Sequence, residues 1–245
     1  ELTLSYMERT YPDYLQEGKV LLGLDYNTVL PATLDARQGG MLSISGKKEK
    51  GKDIFAKYLL EAMLLPAFGN TELYILDDMR RWSDYEYHPD TAVYDNTTAS
   101  VQTIFDEVDQ RVQSRYEDFA QRQEEALKSE PWIVIVIESS DAVAEISADK
   151  KIIGTIKGML GKYRMMKVLI LMTNVENAAI PFSAPDLMKI VKDNRRYIIF
   201  DDISNIKLCD LSVSIAKKYA KPIEFCDAFY VNENELTKIK TVKLS

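Results

Sequence analysis

Five short runs of aliphatic and β-branched residues recur along this chain, and none has a polar face. They are MLSIS (41–45), ELYIL (72–76), WIVIVI (132–137), KVLILM (167–172) and RYIIF (196–200). A strand that is apolar at successive positions must be covered on both sides, which is the condition of strands inside a parallel sheet. Parallel neighbours need crossover connections, and the intervening segments have helical period. Ile54, Phe55, Leu59, Ala62 and Met63 form one face, and Pro66 stops that helix. Val101, Ile104, Phe105, Val108, Val112, Tyr116 and Phe119 form a long stripe on a helix with a charged outer face. A shorter stripe carries Ile152, Ile153, Ile156, Leu160 and Tyr163, with Gly154 and Gly158 read as points of close packing. A further helix is expected near Leu208 to Tyr219. The last stretch, 227–244, reads as an antiparallel hairpin turning at Asn232 to Glu235 and finishing an edge of the sheet. The fold class is therefore α/β, a mainly parallel sheet flanked by helices with a C-terminal antiparallel hairpin.

Composition sets the scale and excludes several functions. A chain of 245 residues with 46% hydrophobic content fits one large domain. No run of about 18 apolar residues occurs, so no segment reads as a membrane span. The sequence opens at Glu1 rather than at methionine, which suggests a mature product or a piece of a longer protein. Cys209 and Cys226 are the only cysteines; they match neither a redox pair nor a zinc set, and point to a reducing cytosol. With His88 the only histidine, multi-histidine metal sites are excluded, and no metal-ligand cluster is expected. The net charge of −7 argues against nucleic acid as a partner. Charge is unevenly spread, since the segment from Asp149 onward holds 17 Lys and Arg against 11 Asp and Glu.

Directly after the first apolar run and before the first helical segment stands GKKEKGKD, comprising Gly46, Lys47, Lys48, Glu49, Lys50, Gly51, Lys52 and Asp53. It satisfies G-x-x-x-x-G-K in the strand–loop–helix setting of a phosphate-binding loop. In a working loop backbone N–H groups cradle phosphates, the lysine offsets their charge, and a following Ser or Thr binds Mg²⁺. Asp53 replaces that hydroxyl. A carboxylate can ligate Mg²⁺, but here it adds a negative charge beside the phosphates, or else it serves the dipole of an empty helix terminus. Glu49 adds a second acid unless it points outward. At the end of WIVIVI, Glu138 and Ser139 stand where Asp and Glu would steady Mg²⁺ and polarise water. Glu138 either reaches a metal or simply ends a core strand, and Ser139 cannot act as a base near neutral pH, which leaves water unassisted unless Asp141 swings in. Thr173 and Asn174, at the end of the next apolar run, occupy the place of a γ-phosphate sensor. Arg164, Arg195 and Arg196 are candidates for an arginine finger offered to a neighbour.

This order of parts resembles the FtsK/SpoIIIE-like P-loop ATPases, whose fold is of the RecA/FtsK type. The likeness is nearest to the third, C-terminal ATPase domain of the EssC-type coupling proteins of type VII secretion. LLGLDYNTVLPATLDARQGGMLSISG (21–46) is similar to the family's strand pair leading into the phosphate loop. LGKYRMMKVLILMTN (160–174) looks like its sensor strand, and KPIEFCDAFYVNENELTKIKTVKL (221–244) like its closing hairpin. The resemblance implies a single domain over 1–245, with a lead-in at 1–20 and a core at 21–244. It also implies a membrane-anchored parent with tandem ATPase domains on the cytoplasmic face of a bacterial membrane. Its expected partners are those neighbouring domains and small helical WXG100-type substrates, whose C-terminal tails would dock on this domain. The family's nucleotide residues carry over at Gly46, Gly51 and Lys52 and fail at Asp53 and Ser139. The implied cofactors are ATP and Mg²⁺, and those two departures put their binding and hydrolysis in question. Two functions stand: a degenerate ATPase domain acting in substrate recognition and export, or an active motor translocating protein or DNA.

Overall fold

In a computed structural model of the protein, residues 2–38, 40–175 and 183–244 are described. Helices are α1 (Leu4–Thr10), α2 (Lys52–Met63), α3 (Val101–Arg122), α4 (Ser140–Ala148), α5 (Lys150–Leu160), α6 (Asp186–Asn194) and α7 (Val213–Lys218). Strands are β1 (Lys19–Asp25), β2 (Pro31–Asp35), β3 (Met41–Gly46), β4 (Thr71–Leu76) and β5 (Thr91–Asp95), then β6 (Trp132–Ile137), β7 (Val168–Val175), β8 (Arg196–Phe200), β9 (Asp227–Asn232) and β10 (Glu235–Thr241). They make one sheet in the order β2-β1-β10-β9-β8-β3-β7-β6-β4-β5. From β8 through β5 every pairing is parallel, and from β2 through β8 every pairing is antiparallel.

All five apolar runs lie in the parallel part, and their period of two splits them between two cores. Along β6, Ile133, Ile135 and Ile137 pack with α3, α4, α5 and α6, whereas Val134 and Val136 pack with α1 and α2 on the other face. Each such side chain, fully withdrawn from water, contributes roughly 1.5–3 kcal/mol. This two-sided burial is what the continuous apolar runs require. Residues 2–20 pack against the sheet: Met7 on α1 is 0% exposed, and Leu4 N–H donates to Lys243 O at 3.0 Å.

Four local expectations differ from what is found. The hairpin β9–β10 does not finish an edge: β9 pairs with β8 and β10 with β1, leaving β2 outermost. Its reversal takes two residues, Glu233 and Asn234, between the paired Asn232 and Glu235, with Glu233 at φ 55°. Ile54 is 43% exposed, because it follows the helix start on the solvent side of α2. A Cβ added at Gly154 would meet nothing within 4 Å, so only Gly158, against Tyr163, sits at a contact. The late helix is shorter than expected, spanning Val213–Lys218, with Leu208 buried ahead of it.

Candidate functional site

The chain leaves β3 through α2 toward β4 on one side of it, and β7 later connects through α6 to β8 on the other. Such a reversal opens a crevice beyond the carboxyl ends of the strands, where ligands bind in open α/β sheets. Register brings the sequence-derived residues to that crevice. Leu76 pairs with Ile137, and Ile137 with Met172, so the next residues, Asp77, Glu138 and Thr173, line up in one row. Alternation turns Glu138 and Thr173 toward the α2 side, since Ile137 and Met172 face the other core. The cavity there has a volume of ≈ 310 Å³ and includes Lys48, Lys52, Asp53, Lys57, Arg81, Glu138 and Thr173 in its wall.

The loop itself is pinned from several directions. Gly46 has φ 105°, and a Cβ there would lie 2.4 Å from Phe200 O, so only glycine fits against β8. Gly51 has φ 99° and starts α2 against Cys226. Lys47 N–H donates to Phe200 O (2.8 Å), Lys50 N–H to Lys47 O (3.1 Å) and Gly51 N–H to Lys48 O (2.9 Å). Three N–H groups of the loop are thereby spent within the protein rather than aimed at a phosphate. Lys50 is drawn the other way: its Nζ donates to Ile223 O at 2.6 Å, and its carbonyl accepts from Cys226 N–H at 2.9 Å. Lys47 pairs with Asp201 at 3.4 Å, and Lys48 with Asp53 at 3.6 Å across the start of α2. Glu49 is exposed and outside the cavity wall, so it adds no charge there.

Glu138 is the most heavily engaged group. It is 7% exposed, and its Oε1 accepts from Arg81 Nη1 at 2.6 Å. Its Oε2 accepts from Trp82 Nε1 at 2.6 Å and from the Thr173 hydroxyl at 2.5 Å. Neither Arg81 nor Trp82 was singled out by sequence reasoning. The signal available was ELYIL running straight into DDMRRW, an acidic strand end with two arginines behind it. Asp77 is the reason they point inward. It is 0% exposed, and its carboxylate accepts from the N–H groups of Arg81 (3.0 Å) and Trp82 (2.7 Å) and from the Tyr94 hydroxyl (2.9 Å). The rest of segment 77–90 is strapped to α2 by Lys57–Asp84 at 3.1 Å and by the Tyr85 hydroxyl on Glu61.

Ser139 has a local structural duty: its hydroxyl accepts from Ala142 N–H at 3.0 Å and caps α4. Asp141 is exposed in the first turn of α4. Asn174 lies in β7, and its side chain is outside the described residues. Arg164 and Arg195 are exposed ahead of β7 and β8, at the sheet end opposite the loop. Arg196 is 8% exposed and bonds Asn232, so it cannot be offered to a neighbouring chain as a finger.

These residues do not suit Mg²⁺. Arg81, Trp82 and Thr173 already donate to the Glu138 carboxylate, the first of them a cation, and Asp53 stands where a hydroxyl ligand belongs. Among the described residues no cluster of three or more His, Cys, Asp or Glu is placed to hold a metal ion. The cationic wall suits a phosphate group better than it suits a metal.

A mainly parallel sheet with a glycine loop joining β3 to α2 at its switch point defines the P-loop ATPase fold. Among solved structures, the chain is similar over 100% of its length to EssC (ATPases 2 and 3) from Geobacillus thermodenitrificans, at 22% identity and a TM-score of 0.79. It is equally similar to the cytoplasmic domain of EssC, at 22% identity and 0.80. Thermomonospora curvata EccC (ATPases 2 and 3), in complex with a signal sequence peptide, matches the whole chain at 11% identity and 0.69. The chain covers 45%, 47% and 43% of those three structures, less than half of each. At these identities the likeness establishes the fold. Compared by sequence with described families and with curated proteins, the chain matches none.

Proposed function

We propose that this chain is a degenerate ATPase domain of a type VII secretion coupling protein, kept for recognition and export of WXG100-type substrates and not for hydrolysis. One observation supports the loss of chemistry: the carboxylate that would steady Mg²⁺ already accepts from Arg81, Trp82 and Thr173. The missing base at Ser139, committed to capping α4, acts in the same direction. The secretion role draws on the fold shared with EssC and EccC, and on the signal sequence peptide held by the EccC structure. On this reading the parent protein carries neighbouring ATPase domains and supplies the attachment to the cytoplasmic face of the membrane. Among the described residues no helix is long and apolar enough to cross a membrane.

The test is turnover by the isolated chain with Mg²⁺-ATP. Hydrolysis indistinguishable from background is expected. A rate near a typical enzyme's roughly 10 per second, abolished by Lys52→Ala, would establish the active motor instead. A motor acting on DNA would further show a salt-dependent DNA affinity, which the net charge of −7 opposes.

A further inference from the structure

We propose that Arg81 takes the place of the divalent metal in this cleft, so that the cleft binds polyphosphate anions in their metal-free form. The inference rests on the reading above, of a P-loop domain that does not turn over ATP, and names what the remaining site prefers.

In a working phosphate-loop site the acid at the end of the strand holds Mg²⁺, and the metal supplies positive charge beside the phosphates. Here that acid, Glu138, holds a guanidinium at 2.6 Å, a charge-assisted contact. The cation is placed and not merely near, because buried Asp77 fixes the backbone N–H groups of both Arg81 and Trp82. With Trp82 and Thr173 on the other oxygen, a metal must break these bonds to reach Glu138. It would also enter a wall that already holds Lys48, Lys52, Lys57 and Arg81 against Asp53, Asp84 and Glu138, four cations to three carboxylates. A free polyphosphate is drawn to that excess. Its Mg²⁺ complex has two fewer negative charges, meets Arg81 where its metal should bond, and gains less. The ordinary metal preference of the fold is thereby reversed. The volume of ≈ 310 Å³ sits at the small end of ligand pockets, roughly 300–1,000 Å³, which suits a short polyphosphate.

The experiment is calorimetry on the full chain with pyrophosphate and with ATP, each in EDTA and in saturating Mg²⁺. Pyrophosphate should bind in EDTA and lose at least about tenfold in affinity when Mg²⁺ is added. Equal affinities for pyrophosphate and ATP in EDTA assign recognition to the phosphates alone, and tighter ATP adds the nucleoside to it; both support the proposal. Arg81→Gln removes the guanidinium from Glu138 Oε1 and should turn the preference toward Mg²⁺, while Arg81→Lys keeps the cation and should retain the wild-type order. Thermal unfolding of each variant confirms that it is folded, and if Arg81→Gln is not, the wild-type and Arg81→Lys measurements decide. Wild-type binding that requires Mg²⁺ overturns the proposal, as does a folded Arg81→Gln that keeps the wild-type preference. Absence of binding at millimolar anion in either condition overturns it as well, yet leaves the non-hydrolysing reading standing. Mg²⁺-dependent turnover would instead bring down that reading itself.

Discussion

Replacing Glu138 with alanine separates a structural carboxylate from a catalytic one. An acid waiting for metal and water is poorly satisfied in the folded protein, so its removal leaves stability unchanged or raises it while activity falls. Glu138 has the opposite character, because the substitution orphans the donors arranged around it. Trp82 Nε1 and the Thr173 hydroxyl belong to residues 5% and 7% exposed. Leaving a buried donor unpaired costs roughly 1–3 kcal/mol. Both groups border a cavity that water can enter, so the lower part of that range applies to each. The Arg81 side chain is 46% exposed and can be rehydrated, which keeps its contribution small. The total comes to about 2–3 kcal/mol, which for a domain of this size lowers Tm by about 4–12 °C. Circular dichroism melting of Glu138→Ala beside wild type, without nucleotide, measures it. Glu138→Gln keeps one acceptor oxygen but sets an amide donor against another donor, and should fall between them. A Glu138→Ala protein that melts at the wild-type temperature or above would refute the reasoning.

Restoring the missing motif residues gives a second expectation. Asp53→Thr with Ser139→Glu supplies a hydroxyl ligand and a base, yet turnover should remain at background because Arg81 still occupies Glu138. The pair should also lose about 1 kcal/mol through the α4 cap, read as a lower urea midpoint. Appearance of Mg²⁺-dependent hydrolysis would place the defect at Asp53 and Ser139 alone. A third concerns acid. Burial raises the Asp227 carboxyl, but hydrogen bonds from Tyr26, Lys238 and Lys240 and from Glu224 N–H outweigh it and hold it below the usual carboxylate range. A lowered folded-state pKa gives stability that is present above the unfolded value of about 3.9 and is lost as pH falls through the folded one. Wild type should therefore weaken below about pH 4, and Asp227→Asn should be less stable at pH 7 with a flatter acid limb in urea titrations. An acid limb identical in the two proteins would exclude Asp227 as its source.

What could be read in the sequence follows from which signals are local. β3, β4, β6, β7 and β8 announce themselves because two-sided burial leaves no polar position in them. β5 is a short edge strand, half-exposed along TAVYD, and without that continuity it resembles a loop. β1 and β2 carry a register shift between Leu21 and Gly23 and an edge proline at Pro31, and only the resemblance marked them. The hairpin's existence was plain from its turn, but its neighbours were not, since a turn says nothing about which strands pair outside it. One clue was present: Asp227, Ala228 and Phe229 are all buried, and AFYV lacks the polar face that an edge strand presents to water.

The site divides in the same way, and the division bears on why the motif departs from a working one. Gly46, Gly51 and Lys52 were legible because a phosphate loop is written in consecutive residues. Arg81 was not, because its bond to Glu138 joins positions 57 apart and exists only through the register of β4 on β6. Once that bond is known, the separate departures form one set. A glutamate at 138 has the reach to meet a guanidinium delivered from the end of β4. On the proposed non-hydrolysing reading, a Glu138 whose charge is matched there has no call for Mg²⁺, no hydroxyl is needed at 53, and Asp53 pairs with Lys48 at the start of α2. Without a metal-bound phosphate to attack, the position after Glu138 is released from holding a base and can serve as a helix cap, which Ser139 does. On that reading Arg81 is the residue on which the other two depend. If Asp53 or Ser139 were the primary loss, reverting it would restore metal dependence while Arg81 stayed in place, whereas the proposed reading expects metal dependence only once Arg81 is removed.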